Sequence, residues 1–200
     1  MKLSSVTGSS NPGCKGLSNV CRIRIAMGPS TFDPDKAIEA IIYVASRVGG
    51  DLYTTLKLLY LADKLHLHRY GRFVFGDEHY ALPHGPVPQG AYDLIKFVRN
   101  DGGTMSHLEH TPARDAFAVE GNTIRPLRQA DEMAFSVSDE ECMSEVIAEF
   151  GKENFNRLKA ATHDDAYNAT GHCKRITPAA IATMADNPAA LIQHLADSAP

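Results

Sequence analysis

Histidines are the residues of this chain that most directly suggest chemistry. Four of the nine lie within 19 residues of one another and close to three acids: His66, His68, His79 and His84, with Asp63, Asp77 and Glu78. Imidazole nitrogens and carboxylate oxygens are the ligands of hydrolytic metal ions, which activate water. The spacing opposes such a site, because His66 and His68 stand about 200° apart around a helix axis. The sequence therefore predicts no metal and no cofactor, and a metal-dependent hydrolase is the weakest of three functional hypotheses.

A second polar group, His163-Asp164-Asp165, has the residue types of a general base beside carboxylates. A catalytic site would also need a nucleophile motif, a glycine-rich phosphate loop or a paired acid, and the sequence has none of these motifs. Polar residues of this kind are commoner at helix ends, where their side chains accept backbone N–H bonds. We therefore predict that these residues cap helices and that the protein is not an enzyme.

Four residues at helical spacing form a stripe of aromatic and basic side chains: Tyr53, Lys57, Tyr60 and Lys64. Tyrosine offers a large and rigid contact area, and lysine stems cover apolar surface beside it. The pattern is typical of a protein contact face, and it is equally typical of a solvated helix face. Both interpretations require the stripe to be exposed.

Helices must position these residues. Asp33-Pro34 has the residue types of a helix start, Gly49-Gly50 ends that helix, and Asp51 caps the next one. The second helix, ending at Tyr70-Gly71, is apolar around most of its circumference, which predicts a central helix surrounded by neighbours. The short connection between the two helices predicts an antiparallel helical hairpin.

The remaining elements are shorter. Gly85-Pro86-Val87-Pro88 predicts a rigid bend from which a third helix starts, and residues 104–114 predict a polar loop. Residues 117–126, with Gly121-Asn122 at their centre, predict a β-hairpin. Further helix starts are predicted at a capping box beginning with Ser138, at Asn154 and after Pro178.

Composition limits the class of protein. The 200 residues are 44% hydrophobic and 22% charged, which is typical of a globular protein with a substantial core. A net charge of −4 makes nucleic acid an unlikely partner, and no apolar run reaches the 18 residues of a membrane span. Four scattered cysteines without a Cys-x-x-Cys pair predict a reducing, cytoplasmic location. The fold class we predict is mainly α, a compact helical domain with a small β-hairpin.

The chain divides into three predicted segments. The composition of residues 1–30, rich in Ser, Gly and Asn, predicts a disordered tail. Met27, within this segment, is an alternative translation start. Residues 31–170 are predicted to form the domain, and residues 171–200 a C-terminal helical extension.

A series of motifs carries a resemblance to a known family. In order, they are Lys57-Leu-Leu-Tyr-Leu-Ala-Asp63, Tyr70-Gly71, Gly76-Asp77, Tyr80-Ala81, Gly85-Pro86-Val87 and Tyr92. Together they resemble the signature of the Panacea domain, a family that includes SocA-like antitoxins of bacteria and phages. The similarity spans residues 36–170 when a weaker segment at 158–163 is counted. One departure is Ala166-Tyr167, which stands where an aromatic residue and a tryptophan would be expected.

The resemblance implies a compact, mainly helical fold that neutralises a toxin by protein contact and without catalysis. The favoured hypothesis is therefore a phage-associated, cytoplasmic antitoxin of a type II toxin–antitoxin system. An alternative is a proteolytic adaptor that delivers a bound protein to a cellular protease.

The residues predicted to bind the cognate toxin are Tyr53, Lys57, Tyr60, Phe75, Asp77, Tyr80 and Val87. Those predicted to be structural motif residues are Asp63, Gly71, Gly76, Gly85 and Pro86. Aspartates can also brace loops by accepting backbone N–H bonds, so Asp63 or Asp77 has this role as an alternative.

Overall fold

The computed structural model describes residues 32–100 and 111–198. This part of the chain is mainly helical with two small antiparallel sheets, which confirms the predicted fold class. In chain order the elements are α1 (Pro34–Val48), α2 (Leu52–Tyr70), β1 (His79–Leu82), β2 (Gly85–Pro88), α3 (Gln89–Arg99), α4 (Thr111–Ala116), β3 (Phe117–Glu120), β4 (Thr123–Pro126), a 3-10 turn (Glu132–Ala134), α5 (Val137–Phe150), α6 (Phe155–Thr162), α7 (Asp165–Ala169), β5 (Arg175–Ile176), α8 (Pro178–Ala182) and α9 (Pro188–Asp197).

Two predicted segments fall wholly or partly outside the described residues. The predicted tail, residues 1–30, lies outside them, as do residues 104–110 of the predicted polar loop. The end of that loop was predicted wrongly, because α4 begins at Thr111. Within residues 32–100 and 111–198, no helix is both long enough and apolar enough to span a membrane.

The first two helices pack against each other through apolar side chains, as the sequence predicts. Asp33 accepts a hydrogen bond from the Lys36 N–H at the start of α1, and Asp51 accepts one from Thr54 at the start of α2. Gly49 has a left-handed backbone that ends α1. Helix α2 also contacts α5, α6, α8 and β2, so it is the central helix. Each fully buried leucine or isoleucine along this contact contributes about 1.5–3 kcal/mol.

Strands β1 and β2 form a hairpin that the sequence does not predict. Tyr80 lies opposite Val87 and Leu82 opposite Gly85, and β5 pairs with the other edge of β1. The prediction of a bend at residues 85–88 is therefore wrong, since this segment is a strand. Its prolines are tolerated because β2 is an edge strand, where a missing N–H need not remove a bond to a neighbour.

The second hairpin, β3 and β4, matches the predicted residues and turn. It is tied to the loop between α1 and α2: the Leu52 N–H donates to Asn122 O at 2.9 Å, and the Ile124 N–H donates to Gly50 O at 2.7 Å. This contact gives a two-stranded hairpin the support that it needs for stability.

Helix α5 starts two residues earlier than its predicted capping box. The Ser136 hydroxyl accepts from the Asp139 N–H, and the Asp139 carboxylate accepts from the Ser136 N–H, so Ser136 is the N-cap. The prediction of a capping box between Ser138 and Glu141 is wrong, because the observed box joins Ser136 to Asp139. The Ser138 hydroxyl instead lies 3.1 Å from His66 Nε2.

The C-terminal segment shares the core of the preceding residues. Strand β5 extends the first sheet, Ile181 of α8 is buried, and the Ile181 carbonyl lies 3.0 Å from His68 Nε2 on α2. The predicted boundary at residue 170 therefore separates two segments that pack on one core.

Candidate functional site

The aromatic and basic stripe of α2 faces the interior of the molecule. Lys57 and Tyr60 are at most 3% exposed, whereas Tyr53 and Lys64 are partly exposed. The segment between α6 and α7 covers them: the Tyr60 hydroxyl donates to Asp164 Oδ2 at 2.9 Å, and Lys64 Nζ forms an ion pair with the same oxygen at 2.8 Å. The prediction of an exposed stripe is wrong for Lys57 and Tyr60. The helical period of α2 does not show that Asp164, 104 positions after Tyr60 in the sequence, packs over this face.

Other predicted toxin-binding residues are also buried. Phe75, Asp77 and Tyr80 are at most 4% exposed, and the Phe75 ring lies edge-on to Phe32 with centroids 6.4 Å apart. The exposure that their predicted role requires is therefore absent. Of the seven predicted contact residues, Tyr53 and Val87 are the two that are partly exposed.

Asp77 braces the first turn of α3. Its Oδ1 accepts the N–H groups of Glu78 and Gly90 at 2.7 and 2.8 Å, and its Oδ2 accepts the Ala91 N–H at 2.9 Å. Helix α3 needs this support because its own N-cap, Pro88, makes no side-chain cap bond. Burial raises the pKa of Asp77 to about 7, and nearby His79 and the bonds from Ala91 and Gly90 oppose that rise. This arrangement is the bracing role that the sequence offered as an alternative.

Replacing Asp77 with alanine is expected to lower the free energy of unfolding by about 1–3 kcal/mol, because it leaves buried N–H groups of α3 without acceptors. Urea unfolding followed by circular dichroism measures this loss. Asp186→Ala, at an exposed position between α8 and α9, is the matched control. Equal stability of the two variants would show that the Asp77 bonds contribute nothing.

Asp63 joins α2 to the segment that follows it. Asp63 Oδ1 accepts the Val74 N–H at 2.8 Å, and Oδ2 lies 3.1 Å from His79 Nε2, without the alignment of a hydrogen bond. The His79 ring is held edge-on by Tyr60 and Phe73, with centroids 5.3 and 4.9 Å away. Both side chains are buried, so their contacts fix the path of the chain from α2 into the first sheet.

The four histidines whose residue types suggested a metal site have separate surroundings. His66 contacts Ser138 and Asp139, His68 contacts the Ile181 carbonyl, His79 faces Asp63, and His84 lies edge-on to Tyr53. Among the described residues, no group of three or more His, Cys, Asp or Glu side chains is arranged to hold a metal ion.

The motif glycines and Pro86 lie where the backbone is constrained. Gly71 ends α2 in the left-handed conformation, and Gly76 also has a positive φ, of 69°. Pro86 is buried in β2, opposite Ala81. Gly85 has φ 112° and packs against Lys57. A Cβ at Gly85 would collide with Lys57 Nζ and approach the His163 ring to 3.3 Å, so only glycine fits.

Lys57 is a buried cation that has only neutral acceptors. Its Nζ donates to the His84 carbonyl and lies 3.4 Å from Thr162 Oγ1. In the described part of the chain no carboxylate forms an ion pair with it. Burial, together with the positive charge of Lys159, lowers the pKa of Lys57 to about 8.

The depressed pKa of Lys57 implies a rise in stability with pH. The unfolded chain holds this proton up to about pH 10.5 and the folded chain only up to about pH 8, so the unfolded state binds more protons between these values. From pH 7.5 to 9.5, the unfolding free energy of the wild type is expected to rise relative to that of Lys57→Met, by at most about 1.4 kcal/mol per pH unit. Urea unfolding of both proteins at each pH measures this difference in unfolding free energy, from which the contributions of the other titrating groups cancel. A constant or falling difference would contradict the account.

The sequence analysis missed residues 162–164 and Phe155 as parts of this site. Thr162 and Asp164 contact α2 side chains, and Phe155 lies against Lys57. The one available signal was the weaker motif segment at 158–163, which precedes Asp164 directly. His163-Asp164-Asp165 was otherwise interpreted correctly, because His163 ends α6 and Asp164 caps α7.

Comparison with curated proteins and comparison with solved structures each gave no match. A family model does match, described as antitoxin SocA-like, Panacea domain, over residues 56–167. That range runs from α2 to α7 and contains both the aspartate braces and the Lys57 surroundings. Because the match covers more than half of the 200 residues, the chain belongs to the SocA-like antitoxin family with a Panacea domain.

Proposed function

We propose that this protein neutralises a cognate toxin by direct contact, as the antitoxin of a type II toxin–antitoxin system in the cytoplasm. The observation that supports this proposal is the family match over residues 56–167, whose description names an antitoxin. Binding rather than catalysis is the mode of action that we propose.

The buried charges favour a binding role because the three buried aspartates among residues 32–100 and 111–198 have structural tasks. Asp63 and Asp77 accept backbone N–H groups, and Asp139 closes a capping box and forms an ion pair with Lys36 at 2.6 Å. Perturbed groups at a catalytic site would instead face a cleft. The family motif thus builds a scaffold, and the toxin must contact the surface that this scaffold presents.

The surface above Lys57 is the contact face that we propose. It comprises Tyr53, His84, Val87 and Phe155, from α2, the turn between β1 and β2, strand β2 and α6, and we call it the Lys57 surface. Tyr53 and His84 lie edge-on with ring centroids 6.2 Å apart, and the Phe155 ring is 45% exposed. Two of these residues, Tyr53 and Val87, were predicted from the sequence to bind the toxin. Partly exposed aromatic side chains are common anchors of protein interfaces.

Co-expression with the product of the adjacent gene tests the function. That product is expected to stop growth when expressed alone, and this chain is expected to restore growth while the half-life of the product stays unchanged. A shortened half-life would instead support the proteolytic adaptor. A harmless product, or a product that stays lethal beside this chain, would overturn the antitoxin proposal.

Phe155→Ala tests the proposed contact face. Truncating an aromatic anchor is expected to weaken toxin binding by about 1–4 kcal/mol, measured by titration calorimetry with purified proteins. Met133→Ala is the control, since Met133 is 91% exposed but lies in the 3-10 turn, away from the Lys57 surface. Equal affinity of the two variants would exclude Phe155 from the interface.

A further inference from the structure

Two polar side chains that share one neutral acceptor flank Gly85. Lys57 carries a buried charge that meets only neutral acceptors in the described part of the chain, and the His84 carbonyl that accepts from it also acts on His163 and raises the His163 pKa. Lys57 Nζ and His163 Nε2 both lie within 3.3 Å of the point where a Cβ on Gly85 would stand. The ammonium and the imidazole are therefore close neighbours, and the absence of a side chain at residue 85 leaves room for both.

Lys159 adds a second positive charge near this pair. It lies one turn before His163 on α6, where its carbonyl accepts the His163 N–H at 2.9 Å, and it lowers the pKa of both Lys57 and His163. Asp164, which follows His163 and raises its pKa, already accepts from the Tyr60 hydroxyl and pairs with Lys64. A buried cation without an anion is unfavourable, and an acidic group from outside would compensate it.

The ammonium group lies close to solvent although Lys57 is buried. Its Nζ is 5.9 Å from the centroid of the Phe155 ring, and nearly half of Phe155 is exposed. The carbonyl that accepts from Nζ belongs to His84, which is also exposed. Movement of the Phe155 side chain is therefore what access to Nζ from solvent would require.

We propose that Lys57, His163 and Lys159 form an acceptor site for a carboxylate side chain of the toxin, at the centre of the Lys57 surface. The source of the carboxylate rests on the proposed function. One carboxylate can accept from Lys57 Nζ and from an Nε2–H of His163 through its two oxygens. A nucleic-acid phosphate fits less well, because the net charge of the chain is −4.

Sodium acetate is a probe of this site that needs no toxin. In the full chain with ¹³C-labelled lysine, NMR titration gives the pKa of Lys57 in acetate and in chloride at equal ionic strength. Acetate is expected to raise the Lys57 pKa by about half a unit or more, because an adjacent anion favours the charged form. Lys64, which is already paired with Asp164, is the internal control and is expected to stay unchanged.

The NMR signal of Lys57 is identified as the one that Lys57→Met lacks. If that variant does not fold, the pKa of His163 in the wild type is measured instead. Acetate is expected to raise it as well. Unchanged Lys57 and His163 pKa values, or equal responses of Lys57 and Lys64, would overturn the proposal.

A second experiment uses the product of the adjacent gene. Lys159→Gln is expected to weaken the complex about tenfold, and an unchanged affinity would overturn the proposed source of the carboxylate. An acetate response together with a harmless gene product would refute the antitoxin function and leave the anion site standing. Neutralisation without any acetate response would refute only the site.

Discussion

Asp63→Ala is expected to lower the free energy of unfolding by about 3–5 kcal/mol, a large part of the 5–15 kcal/mol that stabilises a typical domain. The substitution removes the acceptor of the Val74 N–H and the carboxyl group that faces His79, both in the interior. The turn from α2 into the first sheet would then contain buried polar groups without partners. Urea unfolding monitored by circular dichroism gives the magnitude.

Two variants control this experiment. Asp63→Asn keeps an acceptor for Val74 and is expected to lose less stability than Asp63→Ala. Asp186→Ala removes an exposed aspartate and is expected to stay within about 0.5 kcal/mol of the wild type. If Asp63→Ala were as stable as Asp186→Ala, the Asp63 brace would have no role in the fold.

The second large effect is expected at Gly85, where alanine should cost about 2–5 kcal/mol. The φ of 112° is strained for any residue with a Cβ, and the new methyl group would press into Lys57 and His163. Thermal and urea unfolding measure the loss.

Gly49→Ala is the matched control for Gly85→Ala. Gly49 also has a positive φ, but a Cβ there meets nothing within 4 Å, so only the backbone strain of about 1 kcal/mol is expected. The double variant Gly85→Ala with Lys57→Met is expected to recover part of the loss, because the ammonium group is gone. Equal effects at Gly85 and Gly49 would show that packing against Lys57 is unimportant.

Local signals in the sequence predict the local structure of this protein well. Asp33 and Asp51 cap the first two helices, and Gly121-Asn122 forms the turn of the second hairpin, because each motif acts within a few residues. The first hairpin was missed since Gly85-Pro86 has the composition of a turn, and only its pairing with residues 79–82 and 175–176 reveals a strand.

The candidate site was harder to predict because its contacts span long distances along the chain. Tyr60 and Lys57 lie on a stripe whose period suits an exposed face, and their partners stand about 100 residues later. The motif that carries the family resemblance contains Lys57 and Tyr60, but it does not show that both are buried. Most of its motif residues are buried, so they specify the scaffold, and the surface around Tyr53 and Phe155 is the one that we propose contacts a partner.

Titrating this chain into a purified assay of the toxin's own activity, without protease or ATP, tests the central claim most directly. Inhibition is expected to be complete near a stoichiometric ratio, and Phe155→Ala is expected to shift it to higher concentrations of the chain. Toxin activity that stays unchanged at excess chain, or that falls only after a protease is added, would contradict neutralisation by direct contact.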